Sequence, residues 1–207
     1  MEIRELAVPH SFEITPIIHT DSRGAFLELY RFDLLARATG RRFDIRQANT
    51  SVSRRGVGRG IHYAEVNSEN EGQAKYVTAA VGTVLDFVID IRVGSPSYGK
   101  WDVVELDDTR HNAVFMAEGL GHLFVATSPT ATVNYLTNGL YRPSREHSIS
   151  VSDPAIGLDL TFPLDELVLS AADIAAPTLA DAAQAGTLPT WDDCLALYAS
   201  LTVEVDS

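Results

Sequence analysis

The segment Arg59-Gly60-Ile61-His62-Tyr63 carries a histidine in an alternating stretch, two residues after a glycine. That pattern turns His62 inward from a strand, where an imidazole titrating near neutrality can take or return a proton. Gln73-Ala74-Lys75-Tyr76-Val77 opens the next strand after the polar loop Val66 to Gly72. Only two lysines occur, Lys75 and Lys100, in a chain that otherwise uses arginine. A lysine kept in such a background suits a place that needs a compact, rotatable ammonium and not a guanidinium fork. If the two segments pair, His62 and Lys75 face one cavity. Another histidine, His122, closes Glu118-Gly119-Leu120-Gly121-His122 just ahead of a further strand.

Other chemistries fit less well. His62, Glu65 and His122 are the nearest approach to a metal set, but Ala64 stands where an H-x-H pair needs its second histidine. No metal is expected. A Ser-His-Asp hydrolase is unsupported, because no Gly-x-Ser-x-Gly elbow occurs. The ordinary reading of a single strand histidine is a satisfied core residue, and only the lysine beside it argues for more.

The elements that would hold these groups are mostly strands. Tyr76 to Val81 reads as a strand, Gly82-Thr83 as a turn and Val84 to Arg92 as a second strand. In the second, Leu85, Phe87, Ile89 and Ile91 line one face, and Asp86, Val88 and Asp90 the other. Gly94-Ser95-Pro96-Ser97 breaks it. Trp101 to Leu106 and His111 to Met116 read as a hairpin around Asp107-Asp108. Leu123 to Thr127 and Thr130 to Leu136 read as another through Ser128-Pro129. Helices are short and peripheral: Phe32 to Thr39 stopped by Gly40, one starting at Thr178-Leu179-Ala180-Asp181 and ending before Gly186, and Trp191 to about Val203. The sum is an all-β sandwich or barrel with a helical C-terminal tail. One domain is expected over residues 1–207, its β body about 1–165 and its tail about 174–207.

Composition narrows the function classes. With 207 residues, 45% hydrophobic and 21% charged, the chain is long enough for a real core and unlike a disordered one. A net charge of −12 opposes nucleic-acid and anionic-membrane partners overall. Yet ten arginines fall in the first 59 residues, enough for one anion pocket inside an acidic exterior. Cys194 is the only cysteine and reads as a core residue of the last helix. No apolar run approaches the roughly 18 residues of a membrane span, and the start Met1-Glu2-Ile3-Arg4-Glu5 is no signal peptide. A cytoplasmic location is expected.

Several motifs in order resemble the dTDP-4-dehydrorhamnose 3,5-epimerases. They are Ile14-Thr15-Pro16 with Asp21-Ser22-Arg23-Gly24, Arg46-Gln47-Ala48-Asn49, Gly56 to Tyr63, Ala74-Lys75, Asp90-Ile91-Arg92 and Gly94 to Trp101, followed by Glu118 to His122 and Asp153 to Gly157. The resemblance spans about residues 2 to 200. It implies a cupin-like jelly roll, a homodimer, no cofactor, and a dTDP-4-keto-6-deoxyhexose as substrate. By position, His62 resembles the family's base, Asp173 the carboxylate that orients it, Lys75 the group at the C4 oxygen and Tyr135 the tyrosine on the opposite face of the sugar. Arg59 and His122 correspond to positions near ketone and diphosphate. Arg23, Glu28, Gln47, Asn49 and Tyr141 correspond to nucleotide- or phosphate-contacting positions, and Phe26 to an aromatic that reaches the base from the partner subunit.

Two stretches depart from the family pattern: the acidic loop Glu65 to Gly72, and Leu136-Thr137-Asn138-Gly139-Leu140 after Tyr135. Relatives that invert only C3 or only C5 use almost the same residues. The resemblance therefore implies double epimerisation, with single-centre epimerisation or a non-catalytic sugar-nucleotide binding module as alternatives.

Overall fold

The computed structural model describes residues 1–203; residues 204–207, the end of the expected tail, lie outside the described residues. Two antiparallel sheets pack face to face. The six-stranded sheet runs, in spatial order, β1 (Glu2–Glu5), β2 (Ser11–Thr15), β12 (Ala113–Met116), β9 (Lys75–Val81), β14 (Thr130–Thr137) and β5 (Gln47–Arg54). The five-stranded sheet runs β11 (Trp101–Asp107), β10 (Thr83–Ile89), β13 (Gly121–Ala126), β6 (Gly58–Ala64) and β15 (Glu146–Ser148). Two small hairpins, β3 (Ile18–Asp21) with β4 (Gly24–Leu27) and β7 (Val66–Asn67) with β8 (Asn70–Glu71), stand apart from both sheets. This is the expected all-β, cupin-like jelly roll.

The strand positions agree with the expectation to within a few residues, β10 ending at Ile89 and not at Arg92, but the two expected hairpins do not exist. β11 pairs with β10, whereas β12 pairs with β2 and β9 in the other sheet. Likewise β13 pairs with β10 and β6, while β14 pairs with β5 and β9. Alternating hydrophobicity identifies a strand and a short turn brings the next one near. Neither says whether the turn closes a hairpin or arches over the core to the facing sheet. Here the arch wins because it lets both sheets bury an inner face.

The alternation expected in β10 is what builds two cores. Val84 and Val88 face inward against Val77, Val114 and Val133 of the six-stranded sheet. Phe87, Ile89 and Ile91 face outward and are covered by Ile149, Val151, Ile156 and Leu179. Each such side chain contributes about 1.5–3 kcal/mol on burial. Asp86 shares the inward face and is fully buried, so it needs a partner there.

The helices are α1 (Phe32–Thr39), α2 (Ala171–Ile174), α3 (Leu179–Gln184) and α4 (Trp191–Ser200). Gly40 terminates α1 in the left-handed conformation at φ 71°, its N–H donating to the Ala36 carbonyl. The tail helices each begin at a Ser or Thr with an Asp three residues on: Ser170 and Asp173, Thr178 and Asp181, Thr190 and Asp193. In each the hydroxyl caps the Asp N–H. Cys194 is buried in α4 as expected, and burial pushes its thiol up to about 12. No helix among the described residues is long and apolar enough to cross a membrane.

Arg92 fastens α4 to the sheets. Its side chain is fully buried, donates twice to Asp90, and reaches the Pro9 carbonyl and the Tyr198 hydroxyl. Its guanidinium also lies 4.5 Å from the centre of the Trp191 ring. Removing Asp90 would leave that charge buried without compensation. Asp90→Ala is expected to cost about 3–5 kcal/mol in urea unfolding; a loss below 1 kcal/mol would show that Arg92 does not depend on it.

Candidate active site

Register decides which side chains meet between the sheets. Directly opposed residues of antiparallel strands share a face. In the six-stranded sheet Tyr135 lies opposite Val77 on one side and Asn49 on the other, and Thr137 opposite Lys75 and Gln47. Tyr135, Lys75, Asn49 and Gln47 therefore share the face that carries Val77 into the inter-sheet core, and Tyr135 itself packs on that core. In the five-stranded sheet His62 lies opposite His122 and Ser148, and His122 opposite Val88. The two inner faces confront each other. His62 and Lys75 thus do not come together by strand pairing, as the sequence suggested. They sit on opposite sheets, and the sandwich itself makes them neighbours.

Gly60 permits the tight approach of β6 to β13. It sits at φ 137°, and a Cβ there would collide with the His122 carbonyl. The register shifts between His122 and Phe124, a bulge of the kind that re-aims side chains.

The His62 ring is held from the tail. Its Nε2 lies 2.7 Å from Asp173 Oδ1, and Ser170 Oγ donates to Asp173 Oδ2 at 2.7 Å. The Asp173 side chain is 4% exposed, the His62 side chain 42%. Burial pushes the Asp173 carboxyl up, but the bonds from His62 and Ser170 outweigh it and leave the carboxyl below its ordinary value. An ionised carboxylate only accepts, so Nε2 carries the proton and Nδ1 keeps the lone pair. The contact with Asp173 thus chooses the tautomer of neutral His62.

Three further groups were not singled out from sequence. His122 Nε2 lies 2.8 Å from Asp86 Oδ2, forming a second imidazole–carboxylate pair, fully enclosed. Burial lowers the His122 pKa, the Asp86 charge raises it, and the charges of Lys75 and His62 lower it further. Burial also lowers the Lys75 ammonium, opposed by Glu146 and Asp86. Glu146, on β15, is raised by burial and pulled back by Lys75, its Arg142 backbone bond and His62. Asp86 had a readable signal, an acid inside an apolar strand. Ser170 had one too, the Ser-x-x-Asp start of α2. Glu146 had none, because β15 is short and half-buried.

The remaining expected residues divide. Arg59 bridges the sheets, its Nε 3.1 Å from Ser53 Oγ. Gln47 donates to Asn49 and accepts from the backbone N–H of Tyr141, whose ring is exposed. Arg23 and Phe26 belong to the β3–β4 hairpin, with Arg23 paired to Asp21 and Phe26 68% exposed. Glu28 pairs with Arg31. The fold of this one chain does not bring these three into the space between His62 and Lys75. Glu65 bonds to His147, and among the described residues no cluster of three or more His, Cys, Asp or Glu is set to hold a metal. The two stretches that depart from the family pattern meet: residues 65–73 and 138–140 line one cavity of about 580 Å³, with Glu146 in its wall.

The depressed Asp173 carboxyl has a stability consequence of definite sign. Its contribution is fully present above the unfolded value of about 3.9 and is lost as pH falls through the lower folded value. Ser170→Ala removes one of the bonds that lower it and the α2 cap. The Asp173 titration, followed by carboxyl NMR, is expected to move to higher pH, with stability reduced by about 1 kcal/mol at neutral pH. An unmoved titration would show that Ser170 does not hold the carboxylate.

Known proteins share this fold. The family model for dTDP-4-dehydrorhamnose 3,5-epimerase matches residues 5–181. A dTDP-4-dehydrorhamnose 3,5-epimerase of Mycolicibacterium smegmatis is 47% identical over 202 residues, covering 97% of either chain. A dTDP-4-dehydrorhamnose 3-epimerase of Streptomyces niveus is 46% identical over 197 residues, 95% of this chain and 93% of its own. The solved rmlC epimerase of Mycobacterium tuberculosis is similar with a TM-score of 0.93 at 42% identity, covering 97% of this chain and 100% of that one. Matched in sequence over nearly its whole length and in the fold that faces His62 with Lys75, the chain belongs to the dTDP-4-dehydrorhamnose 3,5-epimerase family.

Proposed function

We propose that the protein is an isomerase that inverts C3 and C5 of dTDP-4-keto-6-deoxy-D-glucose through enolate intermediates. The observation that carries this reading is His62, its Nε2 committed to Asp173, facing Lys75 and Tyr135 across the sandwich. The C4 ketone acidifies the protons on C3 and C5. His62 Nδ1 takes one of them, and the C–H electron pair moves into the ring bond to C4 while the carbonyl pair shifts to O4. The Lys75 ammonium stabilises the resulting negative charge. A positioned donor of that kind is worth about 10²–10³ in rate. Tyr135 then gives its phenolic proton to the carbon from the other face, which inverts the centre. Exchange with water returns a proton to Tyr135 and removes one from His62, so the enzyme is restored.

The nucleotide half falls to Arg23, Phe26, Glu28, Gln47, Asn49 and Tyr141, and Arg59 and His122 fall near the ketone and diphosphate. An exposed phenylalanine on a hairpin that stands off the body fits a homodimer in which Phe26 serves the partner's site. The chain is read as one domain, and a water-soluble nucleotide sugar as substrate fits a cytoplasmic enzyme.

A second reading is inversion at a single carbon. The 3-epimerase of Streptomyces niveus is nearly as similar to this chain as the double epimerase above. The two stretches that depart from the family pattern also share one cavity, with Glu146 in its wall.

Variants test the roles. His62→Asn is expected to slow exchange of the C3 and C5 protons by about 10²–10⁴-fold, and Lys75→Met by about 10²–10³-fold, with dTDP binding by calorimetry retained in both. Near-wild-type exchange in a folded His62→Asn protein would remove His62 as the base.

A further inference from the structure

The buried ion pair Arg41–Glu118 takes no part in the chemistry above, yet it ends beside the catalytic lysine. The Glu118 side chain is fully buried and that of Arg41 is 4% exposed, with Arg41 Nη2 2.6 Å from Glu118 Oε2. Asn138 Nδ2 donates to Glu118 Oε1 at 2.7 Å, and Asn138 Oδ1 accepts from the backbone N–H of Ala74 at 2.8 Å. The Tyr198 hydroxyl of α4 donates to the Glu118 carbonyl, and the Arg41 guanidinium lies over the Tyr198 ring.

Lys75 is the first residue of β9 and the last rung on both of its sides. It lies opposite Met116 of β12 and Thr137 of β14, where each ladder stops. Strand ends are where backbone is freest to move. Asn138 follows Thr137, Glu118 stands two residues beyond Met116, and Ala74 precedes Lys75. The three groups close the open end of the sheet immediately before the lysine. Gly139 lets the chain turn there, since a Cβ on it would press on the Gly72 carbonyl at 2.8 Å.

Stability alone does not account for the cluster. Apolar groups of similar shape often do as well as a buried ion pair or better. Here Arg41 Nε and Nη1 also lack hydrogen-bond partners among the described residues, a further cost. What an apolar plug cannot do is hold a backbone N–H in one direction. We propose that Asn138, oriented by Glu118 and Arg41, is a positioning residue that fixes the start of β9 and so the place of the Lys75 ammonium between the sheets. It acts through Lys75 and touches no substrate.

This rests on the role given to Lys75, and the test keeps the two apart. With ¹³Cε-labelled lysine the protein gives two lysine signals, from Lys75 and Lys100. In the substrate-free enzyme, Asn138→Ala is expected to move the Lys75 resonance and its titration midpoint, which the charges of Glu146, Asp86 and His122 also influence, and to leave Lys100 unmoved. In turnover, kcat for C–H exchange is expected to fall ten- to a hundredfold, with KM and dTDP affinity within twofold. Asn138→Ser, a smaller disturbance of the turn after β14, is read in the same way. An unmoved Lys75 signal, a parallel fall of kcat and dTDP affinity, or failure of both variants to fold would overturn the proposal and leave Asn138 a scaffold residue. Unchanged exchange in Lys75→Met would instead remove the lysine's role, while a shifted lysine signal in Asn138→Ala would still show that Asn138 holds it.

Discussion

The hydrogen bond between His62 and Asp173 joins residues 111 positions apart, and the site depends on it. A free imidazole rotates and exchanges tautomers. Held by an ionised, buried carboxylate it is fixed in one orientation and one tautomer, and the other ring nitrogen keeps its lone pair. The fold makes that bond by bringing the C-terminal tail back over β6, and the tail stays there because Leu179, Ala182 and Leu188 pack on the outer face of the five-stranded sheet. Packing on the outer face of the sheet thereby sets which nitrogen of His62 carries the proton.

The same economy governs the other buried charges. Asp86 is paired with His122, Asp90 with Arg92, and Glu118 with Arg41. Each would be costly alone in the interior. The first lies in the site. The other two tie the sheets to α1's exit and to α4. Lys75 differs: it lies on the inner face of its sheet with acidic neighbours at Glu146 and Asp86 but with no direct ion pair among the described residues. A cation left available in an enclosed space suits a negative charge that arises during reaction, because the field there is little screened by water.

Much of this was legible beforehand, and the misreadings have physical causes. Strand β10, its two faces, the glycine stop of α1 and the Thr178 start of α3 follow from local chemistry, and the structure agrees. The 101–116 and 123–136 hairpins do not exist, because turn chemistry cannot tell a hairpin from an arch between sheets. His62 and Lys75 were expected to meet by pairing, and they meet by facing. Asp86 carried a signal that periodicity supplies, whereas Glu146 became visible only when β15 came to lie beside β6. Arg23, Phe26 and Glu28 sit on or beside a hairpin that this chain alone does not place at the site.

The central claim is that Asp173 selects the tautomer of His62. Long-range ¹H–¹⁵N correlation of the ¹⁵N-histidine-labelled protein near pH 8 reads that directly. The account predicts a protonated Nε2 and an unprotonated Nδ1 for His62, with Asp173→Asn abolishing the preference. A protonated Nδ1 in the wild-type protein, or averaged nitrogens unaffected by Asp173→Asn, would contradict it.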